Sequence, residues 1–459
     1  MNSAANEKQN AADAYYRKMT ETPVPRLIIT LGVPTMISML ITNIYNMVDT
    51  YFVGTLGESQ QAATGILFTL QAIIQAVAFM LGQGSGSMVA KALADKNTGE
   101  ASEYVSSAFF TAIGFGVVFS AVGLAVLDPL LVVLGSTETI LPFARDYGMW
   151  VLISAPLVIA SFVLNNNLRY EGKAIYAMVG LVTGGILNIL GDYILINRLG
   201  MGVFGAGLAT AASQTVSFGI LLFFHFRMAQ GDIGIKYISR NAAIYLTICR
   251  IGFPAMIRQG LSSISNGILN NLTKTYGDAA IAAISVVNRF SAFLMCVGLG
   301  IGQGLQPVAS YNYQAKKYKR VKQALLFTMA AGFVLIGSIS IPTMMFPRQI
   351  VYLFQKSEDV LEIGEFALRM ASFGVMFLSL SVPVNMLFQS IRKPEISSVL
   401  SLLRSGLLMI PTLLITTSLW QLTGIQISQP IADILTGIVS VPFIVWFLKT
   451  TPDEVEEGE

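Results

Sequence analysis

The chain has 459 residues, of which 54% are hydrophobic and 12% are charged, against roughly 25% charged residues in soluble domains. Its mean hydropathy is +0.64 and its net charge is only +3, so we expect an integral membrane protein with no nucleic-acid partner. Both cysteines lie in apolar segments and indicate neither a disulfide framework nor a metal site, and the polar first 25 residues do not resemble a cleavable signal peptide.

Apolar runs of about 20 residues recur along the whole chain, and each is long enough to cross a bilayer as a helix. Prolines inside several runs predict kinked helices, which membrane bundles accommodate. We predict twelve transmembrane helices, over residues 26–54, 63–88, 104–127, 147–169, 174–197 and 204–227 in the first half and 243–273, 279–307, 321–346, 366–391, 395–419 and 427–448 in the second. The predicted fold class is therefore an all-α integral membrane protein.

The first apolar run ends in the segment NIYNMVDTYFVGTLG, which places a carboxylate, Asp49, where hydrocarbon is expected. Burying an ionised carboxylate in a bilayer core costs at least a few kcal/mol, so such residues usually face a polar cavity, an ion or a proton path. Tyr45 lies one helical turn before Asp49 and shares its helix face. The alternative is that Asp49 is a turn residue just outside the membrane.

The fifth run contains a second intramembrane acid, Asp192, in the segment GGILNILGDYILI, with Asn188 one turn earlier on the same face. An amide oxygen and a carboxylate at this spacing can bind a hard cation or hydrogen-bond a protonated acid. The sixth run begins GAGLATAAS, whose small residues permit close helix approach and whose Thr210 supplies a hydroxyl. We expect these residues and Asp49 to meet in one pocket; the alternative is a polar clamp that only holds three helices together.

Basic residues cluster in alternate loops, above all in residues 316–322, whereas the opposite loops carry few. By the positive-inside rule, this pattern predicts a multi-pass plasma-membrane protein with both termini in the cytoplasm. We accordingly predict a cytoplasmic N-terminal segment over residues 1–25, a cytoplasmic linker over 228–242 and an acidic cytoplasmic tail over 449–459. His225, at the inner end of the sixth helix, is expected to be a surface residue.

A shift of 220 residues superimposes the two halves of the sequence. It lays LGVPTMI, beginning at Leu31, on IGFPAMI, beginning at Ile251, and it lays LGQG on IGQG fifty residues further along. Because six helices is an even number, the two halves have the same orientation and are related by an axis along the membrane normal. We predict two pseudo-symmetric six-helix lobes, over 26–227 and 243–448, with a cleft between them that is typical of transporters.

The intramembrane acids do not follow this repeat. Asp49 aligns with Leu269 and Asp192 aligns with Thr412, while the second half offers only Asp433 in the interior of its predicted helices. A purely structural role would not require a charge in one copy and not in the other. The pattern therefore favours an ion-handling role that is confined to the first lobe.

These segments together resemble the multidrug and toxic compound extrusion (MATE) family, in particular its bacterial DinF-like and MepA-like branch. The resemblance extends from about residue 26 to 449 and rests on the Gly-x-Pro starts of the first and seventh helices, the YNMVDTYFVG and NILGD segments and the 6+6 repeat. It implies an export antiporter with two lobes in a V around a central cavity, and a bend of the first helix at Pro34. It also implies a site for protons or Na⁺, with the coupling residues Asp49, Asn188, Asp192 and Thr210 and the supporting polar residues Tyr45, Tyr147 and Asn165.

The chain departs from the NorM-like branch, which is associated with an acidic coupling site in the second lobe. Gln259 stands in the corresponding region of the seventh helix, and the tenth helix has no interior acid. Asp433 is expected either near the surface at the outer end of the twelfth helix or as a minor contributor to cation attraction. Arg258, Arg289 and Arg404 either extend to an interface or favour anionic substrates.

The function expected from these observations is secondary active multidrug efflux of organic, chiefly cationic, amphiphilic compounds in exchange for H⁺ or Na⁺. No cofactor besides the coupling ion is expected; the expected partners are small-molecule substrates and the lipid bilayer, with the protein acting as a monomer. The alternative is a flippase or exporter of a specific lipid-linked or metabolite substrate in the same superfamily. An enzyme is not expected, because the sequence contains no HExxH, GxSxG or comparable motif.

Overall fold

A computed structural model describes residues 13–453, and all regular secondary structure in that range is helical. Most of the predicted acidic tail and the first twelve residues lie outside the described residues. The first half contains α1 (Val24–Gly54), α2 (Glu58–Ala94), α3 (Thr98–Ala125), α4 (Leu141–Tyr170), α5 (Ala174–Asp192) and α6 (Gly202–Met228). The second half contains α7 (Ala242–Thr273), α8 (Asp278–Gln314), α9 (Tyr318–Met345), α10 (Glu358–Val375), α11 (Leu378–Ser390), α12 (Pro394–Leu402) and α13 (Met409–Thr450). Two short helices, Leu127–Val133 and Pro347–Phe354, follow α3 and α9.

The helices provide twelve membrane crossings. Between residues 13 and 453, nine helical segments are long and apolar enough to cross a membrane, and the pair α10 and α11, bent by 44°, makes a tenth. One of the nine, Pro394–Thr450, is 57 residues long and is interrupted at Gln421, which has φ 51° and ψ −126°, so this segment supplies two crossings. Helix α7, with 32 residues, is the remaining crossing. The predicted all-α fold with twelve transmembrane helices is confirmed.

The chain forms two compact units, and each contains part of the other half's first helix. The described part of the first unit is residues 13–16 and 37–256, and that of the second is residues 17–36 and 257–453. Helix α1 is therefore divided after Met36 and α7 after Met256, at positions 220 residues apart. The predicted lobes, in contrast, assign each helix as a whole to its own half of the sequence. Hydropathy is the same on both sides of the point where a helix passes from one unit to the other, so it cannot reveal that point.

Each unit is built around one central helix. In the first unit, α4 packs against α2, α3 and α6, and 61% of its most apolar 18-residue stretch is buried, against 33–39% in the eight other long apolar segments of the described chain. In the second unit, α8 packs against α9, α10 and α11. Because α4 is central, a polar side chain on this helix can contact side chains of several neighbouring helices.

Glycines allow the divided helices to approach their neighbours closely. Within the first unit, a Cβ added to Gly252 of α7 would lie 1.8 Å from the carbonyl oxygen of Met80 on α2. Within the second unit, a Cβ added to Gly304 of α8 would lie 2.7 Å from the Cα of Gly32 on α1. The repeated Gly-x-Pro and GQG segments thus mark the contacts of small residues that hold these helices together.

The segment between α6 and α7, residues 229–241, is held against the first unit by polar contacts. The backbone N–H of Asp232 donates to Ser102 Oγ on α3 at 2.8 Å. His225 Nε2 lies 2.9 Å from the carbonyl oxygen of Gly231, and the His225 side chain is 1% exposed. The expected surface location of His225 is wrong, because this segment folds back over the end of α6.

Candidate functional site: a buried acidic pair in the first unit

Asp49 lies inside helix α1 and not in a turn. Its side chain is 4% exposed, and its Oδ2 accepts a hydrogen bond of 2.9 Å from the hydroxyl of Tyr147 on α4. Tyr147 is buried as well. A hydrogen bond to an ionised group contributes about 1.5–3 kcal/mol, which offsets only part of the cost of removing a carboxylate from water.

Asp192 is the last residue of α5 and is fully buried. The backbone continues directly into a π-helical segment, Tyr193–Arg198, a distortion that is frequent at functional sites. Asn188 lies one turn before Asp192 and is also buried, and its Nδ2 donates to Thr210 Oγ1 on α6 at 3.1 Å. The i,i+4 spacing thus places the amide and the carboxylate on the side of α5 that meets α6.

These side chains form one connected cluster. The hydroxyl of Tyr147 lies 3.3 Å from Thr210 Oγ1, so Thr210 links Asn188 to the tyrosine that binds Asp49. Asp192 follows Asn188 by one turn on the same face of α5, so both buried acids adjoin this chain of contacts. The structure therefore brings all four predicted coupling residues and the supporting residue Tyr147 to one place in the first unit.

Four oxygen atoms of this cluster have no hydrogen-bond partner within the described part of the chain: Asp49 Oδ1, Asn188 Oδ1 and both carboxylate oxygens of Asp192. An unsatisfied buried acceptor costs about 1–3 kcal/mol, and more when it is charged. Because ionised carboxylates only accept hydrogen bonds, the two acids cannot bond to each other without a proton. A shared proton can join two of these oxygens, and a hard cation can be bound by several carboxylate and amide oxygens at once, so the residues fit the coupling ion that the resemblance implies.

Small residues bring the helices of this cluster together. A Cβ added to Gly207 of α6 would lie 3.1 Å from the Cα of Tyr147, and one added to Gly191 of α5 would lie 3.0 Å from the Cβ of Ala209. Larger side chains at these positions would separate α6 from both neighbours. The GAGLATAAS segment thus places Thr210 within reach of α4 and α5.

A cavity adjoins the cluster within the first unit. Tyr45, predicted as a supporting residue, lines it and accepts a hydrogen bond of 3.4 Å from Gln214 Nε2. Gln71 and Gln75 of α2 also line the cavity, and sequence reasoning missed all three glutamines. The spacing of these glutamines in the sequence indicates a shared polar helix face: Gln71 and Gln75 are four positions apart in an apolar helix, as are Thr210 and Gln214.

Asn165 does not belong to this cluster. It lies on α4 eighteen residues after Tyr147, which is about 27 Å along the helix axis. Its Nδ2 donates to the carbonyl oxygen of Ala177 at 3.1 Å, and Asn385 donates to the carbonyl oxygen of Ser397 at 2.8 Å, again twelve residues further along. The predicted role of Asn165 in the polar cluster is corrected: it connects two helices, and its counterpart does the same in the second repeat.

Pro34 lies inside α1, fifteen residues before Asp49 and two residues before the division of this helix between the units. Pro254 occupies the equivalent position of α7, two residues before its division after Met256. A proline inside a helix removes one backbone hydrogen bond and weakens the helix locally. Both prolines therefore lie at points where a helix leaves one unit and enters the other.

Asp433 on α13 is buried, and its expected surface location is wrong. Its side chain is 2% exposed, its Oδ1 lies 3.4 Å from Arg404 Nε, and its Oδ2 accepts a hydrogen bond of 3.2 Å from Gln429 Nε2. The arginine that balances Asp433 is 29 residues earlier in the sequence, so local pattern could not reveal the pair. Arg289 on α8, in contrast, is exposed.

The sequence model of the MatE family matches residues 34–194 and 254–415 of this chain, two blocks that follow the internal repeat. The chain belongs to the MatE family, a family of multi-pass multidrug efflux transporters. Its buried acidic pair is thus a site in a membrane transporter.

Similar proteins cover nearly the whole chain. Multidrug export protein MepA from Staphylococcus aureus (strain MSSA476) is 28% identical over 442 residues, which are 95% of this chain and 96% of that protein. A crystal structure of a MATE in complex with MaL6 superposes with a TM-score of 0.89 at 26% identity, covering 94% of this chain and 99% of that chain. An outward-facing multidrug resistance MATE family transporter of the MOP superfamily gives a TM-score of 0.88 at 26% identity, covering 94% of this chain and 98% of that chain. The predicted resemblance is confirmed.

Proposed function

We propose that this protein is a secondary active exporter that moves amphiphilic organic compounds, chiefly organic cations, out of the cell in exchange for H⁺ or Na⁺. The supporting observation is the buried pair Asp49 and Asp192, which together with Asn188 has four oxygens without a hydrogen-bond partner in the described chain. Acids that served only to clamp helices would have their oxygens paired with donors, as buried polar groups generally are. An acid pair with unsatisfied oxygens is suited to binding and releasing a cation.

The step that couples ion to substrate is neutralisation of the acidic pair. When Asp49 and Asp192 are both ionised, two negative charges in a low-dielectric region repel each other and attract any cation. Uptake of one H⁺ or Na⁺ cancels one of the two charges and so removes the mutual repulsion, and uptake of a second cation removes the remaining attraction as well. The ion can shift the balance between outward-facing and inward-facing conformations only by the difference in its affinity for them, so the cluster must hold its ion differently in each.

Helix α1 connects this chemical change to a conformational one. Asp49 lies on the part of α1 that belongs to the first unit, whereas Pro34 lies on the part that belongs to the second. Because the helix is already weakened at Pro34, we expect α1 to repack about this residue when Asp49 is neutralised. Repacking would disfavour bound substrate, so ion entry down its gradient would drive release and resetting.

The test is gradient-driven transport of the cationic dye rhodamine 123 into inside-out proteoliposomes that contain the purified protein. An imposed pH gradient or Na⁺ gradient should accelerate transport, and the effective gradient identifies the coupling ion. Asp49→Asn and Asp192→Asn should each abolish the acceleration. Asp146→Asn is the matched control, since Asp146 neighbours Tyr147 on α4 but is exposed. Undiminished gradient-driven transport in both site variants would refute the assignment.

The proposed location is the plasma membrane, with both termini in the cytoplasm and the protein acting as a monomer. The support is the concentration of basic residues in alternate loops, including Lys316, which is exposed. A single cysteine at Lys316, in a background with both natural cysteines replaced by serine, should react with a membrane-impermeant maleimide only after the cells are opened. A cysteine at the exposed Arg198 should react in intact cells, and the reverse pattern would invert the topology.

A further inference from the structure

The second unit contains a cavity of opposite polarity to the one beside the acidic pair. Its charged lining residues are Arg258 of α7 and Arg404, which lies in the π-helical segment Leu403–Leu408. Serine and threonine side chains from α11 to α13 form much of the remaining wall, and no acidic residue of the described chain lines it. A cavity lined by two guanidinium groups and several hydroxyls is suited to an anion.

A hydrogen bond holds the guanidinium group of Arg258 in place, and an ion pair holds that of Arg404. Arg258 Nη1 donates to Asn385 Oδ1 at 3.1 Å, and Asn385 in turn donates at 2.8 Å both to the carbonyl oxygen of Ser397 and to Ser401 Oγ. Arg404 Nε lies 3.4 Å from the buried carboxylate of Asp433. The two guanidinium groups and this one carboxylate together carry one net positive charge, which matches a singly charged anion.

Ser381 provides an independent indication of a ligand. Its side chain lines the cavity and is 4% exposed, and its hydroxyl has no hydrogen-bond partner within the described chain. A buried hydroxyl without a partner is costly, and a serine hydroxyl can donate to a carboxylate oxygen. Ser381 therefore offers a donor on the same cavity wall as the two arginines.

We propose that this second-unit cavity binds the carboxylate of amphiphilic substrates, so that the transporter also accepts zwitterionic and anionic compounds. The inference rests on the proposed export function and extends its substrate class beyond organic cations. The planar fork of an arginine side chain matches the geometry of a carboxylate, and charge-assisted hydrogen bonds of this kind are stronger than neutral ones. Arg258, Arg404 and Ser381 are the residues assigned to the carboxylate.

The test compares two dyes that differ at one group. Rhodamine 110 carries a free carboxylate, and rhodamine 123 is its methyl ester, so fluorescence anisotropy with the purified protein in detergent isolates the contribution of the carboxylate. Arg258→Gln and Arg404→Gln should each weaken binding of rhodamine 110 about tenfold or more, while binding of rhodamine 123 should change by less than about twofold. Arg289→Gln removes an exposed arginine and is the matched control.

Two further measurements keep the proposal open to refutation. Arg404→Gln leaves Asp433 without its counter-ion, so the double variant Arg404→Gln/Asp433→Asn is measured beside it. Ser381→Ala is a milder change. It should weaken rhodamine 110 binding about threefold at unchanged thermal stability. Titration with phosphatidylglycerol tests whether a lipid phosphate occupies the cavity instead. Displacement of rhodamine 110 by the lipid, or equal effects of the variants on both dyes, would overturn the proposal.

Failure of the proposed anion site can be distinguished from failure of the proposed export function. Gradient-driven transport of rhodamine 123 that depends on Asp192, combined with arginine variants that do not distinguish the two dyes, would refute the anion site and leave the export function intact. Selective loss of rhodamine 110 binding in the arginine variants, without gradient-driven transport of either dye by the wild type, would support the anion site and refute ion-coupled export.

Discussion

Replacing Gly252 by alanine tests the close contact between α7 and α2 in the first unit. The new Cβ would lie 1.8 Å from the carbonyl oxygen of Met80, whereas carbon and oxygen atoms in close helix contacts are ordinarily about 3.3–3.6 Å apart. The two helices must therefore separate by roughly 1.5 Å. The atom in the way belongs to the backbone, so no side-chain rotation can relieve the clash.

The expected loss of stability follows from this geometry. Overpacking of a well-packed contact costs about 1–3 kcal/mol, and a backbone clash of this depth belongs at the upper end of that range. For a domain of about 150–250 residues, each kcal/mol lowers the melting temperature by roughly 2–4 °C, so we expect Gly252→Ala to lower it by about 6–12 °C. Fluorescence-detected size-exclusion chromatography of heated, detergent-solubilised protein measures the shift.

Two related variants calibrate the result. Gly219→Ala on α6 is the matched control, because a Cβ there has no neighbour within 4 Å and alanine favours the helix, so it should melt at or slightly above the wild-type temperature. Gly304→Ala in the second unit, with a contact of 2.7 Å, should lie between the two. A Gly252→Ala protein as stable as the wild type would show that α7 and α2 do not approach each other as described.

Three further predictions concern single polar contacts. Tyr147→Phe removes the 2.9 Å hydrogen bond to Asp49, so gradient-driven transport of rhodamine 123 should fall about tenfold or more while the protein remains folded; unchanged transport would contradict the role of this bond. Asn165→Ala should lower the free energy of unfolding by about 1–3 kcal/mol but leave the ion dependence of transport intact. Loss of the ion dependence would show that Asn165 belongs to the ion site. Asp433→Asn should destabilise the second unit by about 3–5 kcal/mol, because Arg404 would lose its buried counter-ion; the double variant Asp433→Asn/Arg404→Gln should be affected less, and additive losses would contradict a direct pair.

The acidic pair could be predicted because each of its members carries its own signal. A charge inside a 20-residue apolar run is rare, and the i,i+4 partners Tyr45 and Asn188 share a helix face with Asp49 and Asp192. The same spacing rule, applied to neutral residues, would also have found Gln71 and Gln75. These residues were missed because burying a neutral glutamine in an apolar helix costs less free energy than burying an ionised acid, so a glutamine there is a weaker indication of a functional site.

Asn165 was assigned to the site although the repeat argued against it. Its partner at the 220-residue offset is Asn385, which lies in the half that lacks the acidic pair. A residue present in both halves is better explained by helix packing than by an ion site found in one half only. The structure agrees, since both amides bind a carbonyl oxygen twelve residues further along.

The burial of His225 and of Asp433 could not be predicted from local pattern. Both depend on residues that reach them from elsewhere: the segment after α6 covers His225, and Arg404 pairs with Asp433 across 29 residues of sequence. The division of α1 after Met36 is a third example, because it is defined by tertiary contacts alone. Hydropathy predicts that a helix crosses the membrane but not which neighbours it meets.

The most direct test of the acidic pair as the coupling site is equilibrium binding of rhodamine 123 to the purified wild type and to Asp192→Asn, measured across pH and Na⁺ concentration. In the wild type, acidification or added Na⁺ should weaken dye binding, because neutralising Asp49 and Asp192 favours the state that releases substrate. Asp192→Asn should bind the dye with an affinity that no longer responds to the ion that acts on the wild type. A wild-type affinity that is indifferent to both pH and Na⁺, or a full ion response that persists in Asp192→Asn, would contradict coupling at this site.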